Sequence, residues 1–211
     1  MLFANFALLE EKMVSPAPRF LSFAIPILLA GALPMVTRAQ PPASRAYTPA
    51  QIEFTQAVKP TVLAVRGAFR DRDARALARL LPPAEPLLFR YLGSRVTRLS
   101  AAELGQMFAR PRVRYWGRAD GSGKPIRGTF KDLWWPRIRR RLLSYDLVGV
   151  DEFVMSGNAP DRGLPGARFL DFSSVGSKQY GYLDWESVRL FFVARGSRWY
   201  LKAIDLSHWT I

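Results

Sequence analysis

His208 is the single histidine of the chain, and its side chain is the one best suited to acid–base chemistry. An imidazole titrates near neutral pH and can act as a general base when a carboxylate orients it. Asp184 and Asp205 lie on or beside the predicted C-terminal hairpin and could orient His208. These three residues together would suit a hydrolase. The alternative is that the imidazole ring of His208 only caps the edge of a sheet. We expect the structural role and assign no catalytic residue.

The sequence offers no metal or cofactor site. No second histidine and no acidic cluster at ligand spacing accompany His208, so we expect no metal. The chain has no cysteine, which excludes disulfides, thiolate ligands and cysteine nucleophiles. P-loop, dinucleotide-binding and nucleophile-elbow motifs are absent, so we expect no cofactor. The DGSG stretch at 120–123 lacks the carboxylates of a calcium loop and predicts a turn.

Arginines supply most of the positive charge, and the formal net charge is +14. Such a surface could attract nucleic acid, anionic lipid or an anionic cell-wall polymer. The densest cluster is Arg137, Arg139, Arg140 and Arg141, where like charges on one helix face could be relieved by a bound anion. The alternative, which we favour, is a solvated helix face.

The chain has six tryptophans, which is many for its length. Trp134 and Trp199 fall on predicted core faces. Trp135, Trp185 and Trp209 are the ones that could stack on a sugar ring or on a hydrophobic ligand, with burial in the core as the alternative.

Helices are predicted first along the chain. Thr48-Pro49-Ala50-Gln51 and Ser100-Ala101-Ala102-Glu103 both have the capping-box pattern that begins a helix. The first helix should kink or restart at Pro60, and the second should run until Pro111. A further helical pattern covers 129–143 and is divided by Pro136.

Strands are predicted at 86–92, 113–116, 148–155 and 167–172, followed by a hairpin that turns at Gly196-Ser197. This turn pairs Ala194 with Trp199, Phe192 with Leu201 and Leu190 with Ala203, so one face of the hairpin is apolar. We therefore expect Trp199 to be among the most buried aromatic residues.

This order predicts an α+β fold, in which N-terminal helices pack on a curved, mostly antiparallel sheet that ends in the C-terminal hairpin. Apolar residues at 49% and charged residues at 23% indicate a globular protein. Residues 1–39 resemble a signal peptide, 40–47 a linker, and 48–211 a single domain. An uncleaved anchor, and a true start at Met13, are the alternatives for the first segment.

Four stretches resemble a family of exported bacterial domains of unknown function. They are YWGRADGSGKPIRGTF (115–130), SGN (156–158), QYGYLDWESVRLFF (179–192) and SRWYLKAIDLSHWTI (197–211). The resemblance implies an exported protein without an assigned activity; in the family pattern the histidine falls two residues before the position of His208. Residues 68–83 also resemble the second-helix region of nuclear-transport-factor-2-like (NTF2-like) cone folds.

The leading hypothesis is an exported periplasmic or extracellular domain that binds a ligand or partner of the cell envelope without catalysis. The first alternative is a hydrolase that uses His208 with an aspartate. The second is a basic module that binds an anionic polymer through the arginines of 137–141.

Overall fold

The computed structural model describes residues 47–92, 95–155 and 162–209. The predicted signal peptide and all of the predicted linker except Tyr47 lie outside these residues. Tyr47 is half-buried against the core, and its hydroxyl donates to the carbonyl of Val148 at 2.5 Å. The last residue of the predicted linker therefore packs as part of the domain.

Five α-helices lie in the described part of the chain, with a short 3-10 helix at Lys178–Tyr180. They are α1 (Pro49–Asp71), α2 (Ala74–Ala78), α3 (Ala101–Gly105), α4 (Phe130–Leu133) and α5 (Trp135–Leu143). The strands are β1 (Leu87–Tyr91), β2 (Thr97–Leu99), β3 (Val113–Arg118), β4 (Pro125–Thr129), β5 (Leu147–Val150), β6 (Arg168–Ser174), β7 (Glu186–Arg195) and β8 (Arg198–His208).

The strands form a six-stranded sheet, in the order β2-β1-β8-β7-β6-β5, and a separate β3-β4 hairpin. Within the described part of the large sheet, β1 and β8 run parallel and the other neighbouring strands are antiparallel. Helix α1 packs against β8 and α5 on one face of the sheet. This arrangement confirms the predicted α+β class with a mostly antiparallel sheet.

Helix α1 begins as predicted but does not break at Pro60. Thr48 and Gln51 form the capping box, with proline at the first helical turn, and the helix continues through Pro60 to Asp71. Proline removes a hydrogen bond to the carbonyl four residues earlier, that of Gln56. Because Gln56 and Pro60 are both exposed, water can satisfy that carbonyl. The predicted restart was wrong for this reason.

Other boundaries differ in length. Helix α3 ends at Gly105 and gives way to turns well before Pro111. The helical pattern of 129–143 forms two helices because Thr129 caps α4 and Pro136 lies in the first turn of α5. The predicted strand 148–155 ends early, at Val150.

The C-terminal hairpin turns as predicted, with Gly196 at φ 61° and Ala194 paired with Trp199. A β-bulge then intervenes, because Phe192 pairs with Leu201 whereas Phe191 pairs with Ala203. The extra residue exchanges the faces beyond it, so Ile204 enters the main core in place of Ala203. The pairing predicted for Leu190 with Ala203 was wrong for this reason.

Trp199 is less buried than the hairpin pattern predicts. It is half-buried near the hairpin turn, and its ring lies 5.1 Å from that of Phe54 in an edge-to-face contact. Ala194, its partner across the hairpin, is exposed. The turn end of the hairpin therefore extends past the helices that cover the rest of this face.

The second face of the sheet carries three rows that cross the strands. Phe169, Phe191, Ala203 and Leu88 form an apolar row, and Ser173, Ser187 and Ser207 form a serine row. Between them lies a row of alternating charge, Asp171, Arg189, Asp205 and Arg90, on four neighbouring strands. All four charged side chains are buried.

Ion pairs connect the charged row. Arg90 contacts Asp205 with two hydrogen bonds, of 2.7 and 2.5 Å, and Arg189 contacts Asp171 at 3.0 Å. Backbone carbonyls of Met155 and Arg162 accept further bonds from Arg189 and Arg90. The row thereby ties the segments on both sides of residues 156–161 to the sheet.

Within the described residues, no helix combines the length and the apolar character needed to cross a membrane.

Candidate ligand-binding groove

A cleft of about 320 Å³ opens where β2 and α3 face β3, β4 and α4. Its floor is apolar and consists of the buried side chains of Leu99, Leu104, Met107 and Phe130. Local sequence fixes these elements, because Ser100 caps α3 and Thr129 caps α4 directly after its strand. The floor residues therefore come from three short segments that cap residues hold in place.

Cations surround this apolar floor. Arg110, Arg112, Arg114 and Lys131 line the cleft, with Arg110 and Arg112 exposed and Arg114 and Lys131 half-buried. Among the described residues that line it, the only acid is Glu103, which contacts Arg112 at 3.0 Å and Arg114 at 2.5 Å. The rim is strongly positive even with this carboxylate included.

A second cleft, more open and of about 400 Å³, adjoins the first. Its lining includes Arg95, Arg98 and Arg114, together with Tyr115, and Arg114 lines both clefts. We call the two clefts together the basic groove. Among its described residues, the cations are Arg95, Arg98, Arg110, Arg112, Arg114 and Lys131, against the single carboxylate of Glu103.

Neither candidate aspartate is bonded to the ring nitrogens of His208. Its Nε2 lies 2.7 Å from the Tyr91 hydroxyl and its Nδ1 lies 2.7 Å from the backbone carbonyl of Trp209. A carbonyl can only accept, so Nδ1 carries the hydrogen and Nε2 accepts from Tyr91. Burial and the nearby Arg137 guanidinium lower the pKa of His208, which favours this neutral form.

Both aspartates have other partners. Asp184 accepts from the backbone N–H and the hydroxyl of Ser177, at 2.6 and 2.9 Å. Asp205 belongs to the charged row and contacts Arg90. The three residues considered for hydrolysis are therefore not brought together as a catalytic group.

The tryptophans considered for ligand stacking occupy different environments. Trp135 and Trp185 are buried, at 2% and 1% exposure, and Trp209 is half-buried beside His208. Trp135 packs against Phe69, with ring centroids 4.3 Å apart. None of the three lines the basic groove in the described part of the chain.

The arginine cluster of α5 contacts a carboxylate of the protein itself, that of Glu186. Arg137 and Arg140 contact the buried Glu186 carboxylate at 2.8 and 3.0 Å, and Arg141 approaches it at 3.9 Å. Burial would raise the pKa of Glu186, but Arg137 and Arg140 lower it below the ordinary value. Arg139 is exposed and bonds the carbonyl of Arg70.

Sequence reasoning did not identify the basic groove, because its cations come from three separate stretches, 95–98, 110–114 and 131. A local signal exists at residues 110–114, where arginine recurs at every second position. In extended chain that spacing places side chains on one side. The apolar floor and the neighbouring arginines on and before β2 have no comparable signal in the sequence.

Within the described residues, no group of acidic or histidine side chains could hold a metal ion. No protein-family model matches the chain, and no curated protein matches it. The family resemblance of the C-terminal motifs therefore stays a prediction.

Two solved structures are similar to the chain at 10% identity. One is a DUF4783 family protein from Bacteroides ovatus ATCC 8483, with TM-score 0.30 over 70% of this chain and 94% of that chain. The other is a variant of the NTF2-like designed protein Rd1NTF2_05, with TM-score 0.34 over 74% of this chain and 99% of that chain.

Proposed function

We propose that this protein is an exported, non-enzymatic binding module of the cell envelope whose basic groove takes an anionic polymer. One observation carries the proposal. Of the residues that the structure describes, six cationic side chains and a single carboxylate line two adjoining clefts that share Arg114. The arginines of α5 that were considered for this role largely face Glu186, so the proposal rests on the groove.

The apolar floor strengthens the attraction of the groove for anions. Clefts lined by charge of one sign and walled by low-dielectric groups focus the electrostatic field. Leu104 and Phe130 supply such a wall directly beneath the cations of the first cleft. An anionic group that enters the cleft would therefore be held more strongly than one on an open surface.

Repeating anionic groups suit the two clefts better than one isolated group does. Arg110 and Lys131 line only the first cleft, and Arg95 and Arg98 line only the second. A polymer with phosphate or carboxylate groups along its length can contact both sets at once, and linked contacts add to affinity. Phosphate and carboxylate are both matched by the guanidinium fork.

A salt titration tests the proposal. The probes are long-chain polyphosphate and polygalacturonate, which distinguish phosphate from carboxylate polymers. Because polyanion binding releases counterions, the logarithm of affinity should fall linearly with the logarithm of salt concentration. Affinity that is absent for both probes, or that is insensitive to salt, would contradict the proposal.

Matched variants locate the binding. Arg110→Gln with Lys131→Gln removes two groove cations that make no hydrogen bond to Glu103, and each lost contact should reduce the salt slope by roughly one. Arg195→Gln with Arg198→Gln removes the same charge at the hairpin turn, which lines neither cleft. Equal effects of the two pairs would show binding without a defined groove.

Export is tested on the protein recovered from its host. If residues 1–39 are a cleaved signal peptide, the recovered chain should begin near Gln40 and lie outside the cytoplasm. Recovery of the intact chain in the cytoplasm would contradict this part of the proposal. It would not bear on anion binding by the groove.

A further inference from the structure

Glu103 is held from two sides. Its Oε1 accepts from Arg112 and Arg114, at 3.0 and 2.5 Å, while its Oε2 accepts from the backbone N–H and hydroxyl of Ser100, at 3.1 and 3.2 Å. The bonds to Ser100 are those of the capping box that begins α3. The carboxylate is therefore fixed to the helix end as well as to the arginines.

This carboxylate stays charged at neutral pH. Burial would raise its pKa, but the Ser100 backbone N–H and the nearby Arg114 lower the pKa of Glu103 below the ordinary value. Any anion that enters the first cleft meets two guanidinium groups that already have an anionic partner.

We infer that Glu103 is a built-in competitor for the groove arginines and makes the groove discriminate polymeric anions from single anions. The inference rests on the proposed function. A single phosphate that approaches Arg112 and Arg114 exchanges one anionic partner for another and meets the repulsion of the fixed carboxylate. It therefore gains little from these two residues.

A polymer escapes this limit. Its further anionic groups reach Arg110, Lys131, Arg95 and Arg98, which make no hydrogen bond to Glu103. The competition from Glu103 then applies once for the whole polymer, whereas the favourable contacts multiply. Selectivity arises because the competitor weakens a single anion held by Arg112 and Arg114 but only one contact of a long one.

Glu103→Gln isolates the charge. Glutamine is accepted at the third position of a capping box, so its amide oxygen can keep the bond from the Ser100 N–H. The probes are inorganic phosphate and long-chain polyphosphate at fixed ionic strength. We expect the affinity for inorganic phosphate to rise about tenfold, the size of one charge-assisted hydrogen bond, and the affinity for polyphosphate to rise clearly less.

Two controls accompany this variant. Glu85→Gln makes the same charge change at a carboxylate that also bridges two cations, Arg195 and Lys202, but lines neither cleft. It should leave both affinities unchanged. Ser100→Ala removes a hydroxyl of the cap and keeps the charge of Glu103, so it should also leave the affinity for phosphate unchanged.

The outcomes separate the two proposals. If wild type binds polyphosphate but Glu103→Gln binds inorganic phosphate no better, the inference is overturned. The same holds if Ser100→Ala raises the affinity for phosphate as much as Glu103→Gln does. In both cases the proposed binding of polymers in the groove is retained. If wild type binds neither polyphosphate nor polygalacturonate, or binds them as tightly after Arg110→Gln with Lys131→Gln, the proposed function is overturned and the inference with it.

Discussion

His208 is bound at both ring nitrogens, and this predicts how stability depends on pH. Its pKa is lowered by burial and by Arg137, while the hydrogen bond to the Trp209 carbonyl, Glu186 and Asp120 oppose the shift. Below about pH 6.5, the ordinary value, the unfolded chain binds a proton that the folded chain resists. The free energy of unfolding should therefore be fully retained above that value and fall as the pH falls below it.

Urea unfolding between pH 5.5 and 7.5 measures this effect. The window lies above the titration of most carboxylates, and the chain has a single histidine. His208→Gln should remove most of the slope in this window. A variant that keeps the slope of wild type would show that another group is responsible.

At the residue scale, local patterns predicted local structure well. Thr48 and Ser100 cap their helices with Gln51 and Glu103 because a capping box needs only residues three apart. Partners distant in sequence were missed. The carboxylate that receives Arg137 lies 49 residues later, at Glu186, and no spacing rule connects the two.

At the element scale, the hairpin shows how far from the turn the alternating pattern predicts the pairing of the two strands correctly. The turn at Gly196 fixes the pairing as far as Phe192 and Leu201. The bulge beyond this point comes from tertiary packing, because without it Asp205 would enter the apolar core and Ile204 would face the charged row. Strict alternation in the sequence cannot show where one residue is inserted.

Two glycines in different elements predict opposite effects of alanine. A Cβ on Gly149, in β5, would lie 2.3 Å from the backbone oxygen of Glu152. A Cβ on Gly67, within α1, would meet nothing within 4 Å. Gly149→Ala should therefore destabilise by about 1–3 kcal/mol, whereas Gly67→Ala should stabilise by about 0.5–1 kcal/mol.

Chemical denaturation of the two variants in parallel checks this prediction. A Gly149→Ala variant as stable as wild type would contradict the close contact between β5 and the backbone of Glu152. A loss of stability in Gly67→Ala would contradict the regular helical geometry of α1.

At the scale of the whole molecule, the charged row holds four strands and two covering segments together. Removing one member leaves a buried charge without its partner, which typically costs about 3–5 kcal/mol. Arg189→Met should reach this range, because Arg189 lies between Asp171 and Asp205 and is 2% exposed. That loss is a large part of the stability of an ordinary domain.

The control for this prediction is Arg70→Met, which breaks the exposed pair with Asp71. Exposed ion pairs are screened by solvent, so the urea midpoint should remain close to that of wild type. If the two variants lose the same stability, the charged row contributes no more than a surface pair.

The fold class could be predicted because helices precede strands along the chain and each element carries its own pattern. The basic groove could not be predicted, because five short elements, β2, α3, β3, β4 and α4, must pack together to form it from residues between 95 and 131. A surface assembled from short segments depends on how the chain folds back on itself, which no local pattern encodes.

The position of β8 has a consequence for the order in which the molecule can fold. Of the described strands β8 is made last, yet it lies between β1 and β7 in the sheet. A chain synthesised from its N-terminus therefore holds β1 and β7 with their inner edges unpaired until residues 198–208 emerge. Closure of the main sheet waits for contacts that are distant in sequence, which are the slow ones to form. A protein that must cross a membrane before it folds would benefit from this delay.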